Sequence, residues 1–117
     1  MKNIARRKRY IQGNIYITND SVFSRDNYSK AGRRVVAVNN DKYKMHVVKI
    51  KGLYDSNGNR RTNLIPIERY SVLHKESGID PFVHKKTKYN KPILESKMKK
   101  TNVRLNRWDM QKIKHLK

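Results

Sequence analysis

The sequence predicts a mainly β (α+β) domain, a small barrel of short strands closed by one C-terminal helix, and three observations carry that expectation. β-branched and aromatic runs of strand length recur between Asn, Asp and Gly clusters. An Asn57-Gly58 pair marks a tight turn, because both residues tolerate positive φ. One segment with helical apolar spacing and a cap stands at the very end.

The elements follow in order. Gly13 introduces Asn14-Ile15-Tyr16-Ile17-Thr18, a strand closed by Asn19-Asp20. Residues 19–32 follow neither apolar period and read as a long loop, the kind that often carries function. Arg33-Arg34-Val35-Val36-Ala37-Val38 has the pattern of a buried strand, stopped by Asn39-Asn40-Asp41, and Met45 to Lys51 forms the next. Asp55 to Asn59 is a hairpin turn, with Thr62 to Ile67 resuming the apolar pattern and Pro66 limiting that strand to an edge. Glu68 to Leu73 is expected to turn helical. Asn106 caps a final helix from Arg107 to about Leu116, with Leu105 and Met110 as its hydrophobic staple and Met110, Ile113 and Leu116 as its buried stripe.

Charge points to a partner. The 117 residues hold 29 Lys and Arg against 9 Asp and Glu, a net charge of +20, far above the magnitude of about 2 to 8 that keeps a small domain soluble. Such an excess repels itself unless a polyanion relieves it. It is uneven: residues 1–13 carry +5, residues 14–84 carry +5 and residues 85–117 carry +10. The expected organisation is a basic arm over 1–12, a barrel over 13–84 and a basic extension over 85–117 that ends in the helix. No apolar run approaches the roughly 18 residues of a membrane span, and no lipidation motif or secretory core is seen. The absence of cysteine excludes disulfides, zinc fingers and thiol nucleophiles and fits a reducing, cytoplasmic interior. No nucleotide-binding glycine pattern or metal-ligand spacing occurs, so neither cofactor nor metal is expected.

Nucleic acid is the polyanion that this charge implies, and tyrosines interleaved with basic residues favour single-stranded RNA, with DNA as the alternative. The candidate contacts are Arg6, Arg7 and Arg9 in the arm, and Arg25, Tyr28, Lys30 and Arg34 in and after the long loop. Lys97, Lys99, Lys100, Arg104 and Arg107 extend the set into the basic C-terminal segment. Tyr16 and Trp108 are expected in the core rather than against bases. Metal-free RNA cleavage needs a base for the 2′-hydroxyl and a cation for the phosphorane. His46 is the candidate base, and Arg33 or Arg34 the candidate cation.

Gly13-Asn14-Ile15-Tyr16 and Gly32-Arg33-Arg34-Val35-Val36-Ala37-Val38-Asn39-Asn40-Asp41 resemble the opening of the PemK/MazF family of mRNA-cleaving toxins, and the likeness extends loosely over 13–73. The resemblance implies an SH3-like barrel, endoribonuclease activity with Arg33 at the catalytic arginine, a homodimer and an acidic antitoxin partner. Arg34 stands where the family has proline. The family's Thr or Ser at the end of the next strand would fall at Lys51 or Gly52, and Ser56 and Thr62 are off register. The lysine-rich extension is also foreign to the family pattern. These departures support an alternative, a non-catalytic nucleic-acid-binding accessory protein of a mobile element or a ribosome-associated one.

Overall fold

The computed structural model describes residues 10–23 and 32–116. Strands β1 (Asn14–Thr18), β2 (Arg33–Ala37), β3 (Val47–Gly52), β4 (Ile65–Pro66), β5 (Ser77–Ile79) and β6 (Lys99–Arg104) precede helix α1 (Arg107–Ile113). They form one antiparallel sheet in the order β4-β5-β3-β2-β1-β6. The sheet is open: β4 and β6 are its two edges, whereas the sequence predicts a closed barrel. Helix α1 bridges the gap, starting beside β6 and donating from Lys112 Nζ to the Pro66 carbonyl at 2.7 Å.

The central strands are covered on both faces, which is why Val35 to Val38 reads as an unbroken apolar run. One face carries Ile15, Val36, Val48, Ile50 and Ile79 and packs Leu105 and Ile113 from the C-terminal region. The other carries Tyr16, Val35, Ala37 and Val47 and packs Ile11, Met45 and Ile93. Residues 85–116 thus enter the sheet and both apolar clusters, and the extension expected to flank the barrel is built into the same body.

Local chemistry sets the remaining elements. Asp55 Oδ1 accepts from the Asn57 and Asn59 amides at 2.9 Å, Gly58 has φ 79°, and Tyr54 bridges Arg60, so the turn forms with little strand beside it. Glu68 to Leu73 is not helical. Its Glu68 amide and Tyr70 hydroxyl are held by the Asp109 carboxylate, which fixes the segment as a connection beneath α1. Asn106 Oδ1 accepts from the Asp109 amide at 2.8 Å as the expected cap, but α1 ends at Ile113, three residues early. Gly78 is demanded by β5: a Cβ there would lie 2.8 Å from Leu64 Cβ and 3.0 Å from the Ile65 carbonyl oxygen.

Candidate nucleic-acid interface

Side chains alternate along a strand, so β3 residues Val47, Lys49 and Lys51 share a face with Arg33 and Val35 of β2. The ladder pairs Val35 with Lys49, which sets Arg33, Lys49 and Lys51 at one end of the sheet. Arg33 is 14% exposed in its side chain, and all three of its donor nitrogens are engaged. Nε and Nη2 donate to Asp20 Oδ2 at 3.2 and 2.9 Å, and Nη1 donates to the Ile50 carbonyl at 3.1 Å. The Lys49 ammonium lies 2.8 Å from Asp20 Oδ1, and Lys51 Nζ donates to Asp80 Oδ2 at 2.9 Å. Burial alone would raise the Asp20 carboxyl, but the hydrogen bonds and charges of Arg33 and Lys49 prevail and hold it at about 2. Asp80 is also lowered: its burial is outweighed by the hydrogen bond from Lys51.

An open groove of about 390 Å³ borders this cluster, lined by Arg33, Lys51, Arg61, Asn63 and Leu64. His84 adjoins the cluster, its ring tilted by 43° against Phe23 and edge-on to Phe82, with ring centroids 4.9 and 4.8 Å away. Burial first, and then the charge of Lys49, lower its pKa below 6.5, which keeps the ring neutral at pH 7. The arrangement offers phosphate-binding cations, three of them already on carboxylates, beside a neutral imidazole.

The other expected residues are dispersed. Arg34 points to the opposite face and donates to the Val72 and Gly32 carbonyls at 3.0 and 2.7 Å, so it serves the fold. His46 lies before β3, at the far end of the ladder from Arg33. Five residues of strand separate it from Lys51, about 17 Å. Arg33 and His46 therefore cannot act on one phosphodiester. Lys99 is in register with Ile17, which pairs Arg34, so β6 begins about 10 Å from β2, two strand spacings away. Lys99, Lys100 and Arg104 are exposed on this edge strand; Arg104 Nε donates to the Gln12 carbonyl and Lys100 Nζ lies 3.4 Å from Glu95. Lys97 lines a separate, largely apolar groove with Val22, Pro92, Ile93 and Met98. Arg107 opens α1 and lies 5.5 Å over the ring of Trp108, which is exposed rather than in the core, whereas Tyr16 is buried as expected. Arg6, Arg7, Arg9, Arg25, Tyr28 and Lys30 lie outside the described residues.

Sequence reasoning missed Lys49, Lys51, Arg61, Asp20 and His84. The alternation Val47-Lys49-Lys51 was a usable signal for the first two, since it matches the parity of Arg33. Asp20 and His84 come from distant segments and carry none. Among the described residues no helix is long and apolar enough to cross a membrane, and no three His, Asp or Glu side chains gather as metal ligands do. No family model, curated protein or solved structure matches the chain.

Proposed function

We propose that this protein binds single-stranded RNA on a basic surface that runs from the Arg33–Lys51–Arg61 groove to the lysines of β6. The open sheet is then a partly closed relative of the SH3-like barrel, and the likeness of residues 13–41 to PemK/MazF toxins reflects a shared RNA-binding site. The observation that carries this reading is the convergence of four cations, Arg33, Lys49, Lys51 and Arg61, at one end of the sheet, with Lys100 of β6 in register with Tyr16 and Val35 on the same face. Phosphate contacts of this kind give affinity without reading sequence.

Binding without cleavage is favoured over toxin chemistry by the engaged donors of Arg33, the remoteness of His46 and the lack of a hydroxyl at Lys51 and Gly52. The endoribonuclease reading rests on Arg33 at the groove wall, and it brings with it a homodimer, an acidic antitoxin and a cytoplasmic site of action. One experiment tests both: the protein is incubated with a defined single-stranded RNA and its DNA counterpart in EDTA. Retention without cleavage is the expected result, with affinity falling by roughly 10³ to 10⁵ between 50 and 200 mM salt if six to ten phosphates are contacted. A flat salt response overturns the binding reading. RNA-only cleavage that survives Lys51→Ala but not Arg33→Ala establishes the nuclease.

A further inference from the structure

Trp108 is the only tryptophan of the chain, and it stands 68% exposed on the first turn of α1. Tryptophan is a residue whose large apolar surface is normally covered. Here the buried side of the helix is supplied by Asp109, Ile113 and the half-buried Met110, so Trp108 contributes little to the core. The Arg107 guanidinium lies over its ring, 5.5 Å from the centroid. Exposed Arg104, Lys112 and Lys114 surround it in sequence, and the only acid from Lys97 to Leu116 is Asp109, which is buried at 1% exposure.

We propose that Trp108 is a stacking platform for an unpaired base of the bound RNA, with Arg107 backing the indole and Arg104 and Lys114 holding the flanking phosphates. The inference rests on the RNA-binding reading and adds to it a second contact, remote from the Arg33 groove. The backbone geometry joins the two. β6 starts with Lys99 at the Arg33 end of the sheet and finishes at Arg104, opposite Asn14 and three residues before α1. A strand of that length spans about 17 Å, so it lays a basic edge between groove and tryptophan. Stacking on an indole needs a base free of its complement, and every base has a face to offer, so the platform selects single strands without selecting sequence. An amphipathic membrane contact would instead need several apolar residues on the exposed side of α1, which carries Arg107, Gln111, Lys112 and Lys114 beside Trp108.

The test uses the full chain and a fluorescein-labelled oligouridylate, with anisotropy reporting binding and indole emission, excited where tyrosine is silent, reporting the platform. Quenching that tracks the anisotropy curve is expected, with Trp108→Ala weakening binding about tenfold at an unchanged salt slope, because stacking is lost and no charge is. Trp108→Phe, which keeps a ring, restores most of the affinity. Circular dichroism confirms the fold of both variants. RNA bound by the parent chain with unchanged emission, and equally by Trp108→Ala, overturns the platform and leaves the binding reading standing. Absence of any RNA binding removes both. An emission shift on phosphatidylglycerol vesicles with none on RNA overturns the proposal in favour of a membrane contact.

Discussion

Substituting Asp20 by Asn probes the centre of the site, because this side chain holds Arg33 and Lys49 together. The Asp20 carboxyl is held at about 2 against a reference of 3.8. That difference converts to about 2 kcal/mol of stability at neutral pH. A neutral amide forfeits it and leaves two cations, 14% and 12% exposed in their side chains, facing one another, so the cost is at least about 2 kcal/mol and approaches the 3 to 5 kcal/mol typical of a broken buried pair. With a urea slope of about 2 kcal/mol per molar, the unfolding midpoint falls by about 1 M or more.

The pH dependence separates this cause from a general packing fault. A carboxyl whose folded pKa is depressed contributes fully above its unfolded value, and the contribution fades as pH falls from about 4 towards 2. The gap between parent and Asp20→Asn therefore stays constant from pH 7 to 5 and narrows below 4. Asp80 and Asp109, also lowered, titrate in both proteins and cancel from the difference. Equal midpoints at pH 7, or a gap that persists unchanged at pH 3, would refute the electrostatic account of this cluster.

Asp109→Ala removes the acceptor of the Tyr70 hydroxyl and the Glu68 amide and is expected to cost about 3 kcal/mol or more by urea unfolding, against about 1 kcal/mol for Tyr70→Phe. Gly78→Ala forces a Cβ against Leu64 and the Ile65 carbonyl and should cost about 1 to 3 kcal/mol, whereas Gly58→Ala meets no atom within 4 Å and pays only for its positive φ, about 1 kcal/mol. In NMR titration His84 should protonate with a midpoint below 6.5, because burial and Lys49 both disfavour its cation; a midpoint above 6.5 would place the ring in solvent or on a carboxylate.

The elements legible in the sequence were those whose local chemistry agrees with their tertiary setting. β1, β2 and β3 announced themselves through β-branched runs, and α1 through Asn106, because packing and propensity demand the same residues there. β6 was hidden for the opposite reason. Lys99, Lys100, Asn102 and Arg104 are the charged and polar residues that protect an exposed sheet edge, and in sequence they cannot be told from a basic tail. β5 was lost to its brevity and to Gly78, whose purpose is the close approach of Leu64, a contact no local window contains. The site was legible only in Arg33. Its partner Asp20 sits 13 residues away in sequence, and the capture of Arg34 by the Val72 carbonyl joins residues 38 apart, which no local window contains.

Among the described residues three acids, Asp20, Glu95 and Asp109, are buried, and each ties together segments that are distant in sequence. Asp20 ties the end of β1 to β2 and β3; Glu95 accepts from Tyr16 and lies against Lys100 of β6; Asp109 fastens α1 to the segment after β4. Acids used in this way pair with Arg33, Lys49, Lys100 and Lys112, and among the described residues they leave Lys99 and Arg104 of β6 and Arg107 of α1 without a carboxylate partner. The same allocation therefore leaves a surface on which cations outnumber acids, and their repulsion lowers the stability of the free chain. A bound polyanion removes that repulsion as well as adding its own binding energy, so RNA should raise the unfolding temperature, steeply at low salt and little at high salt.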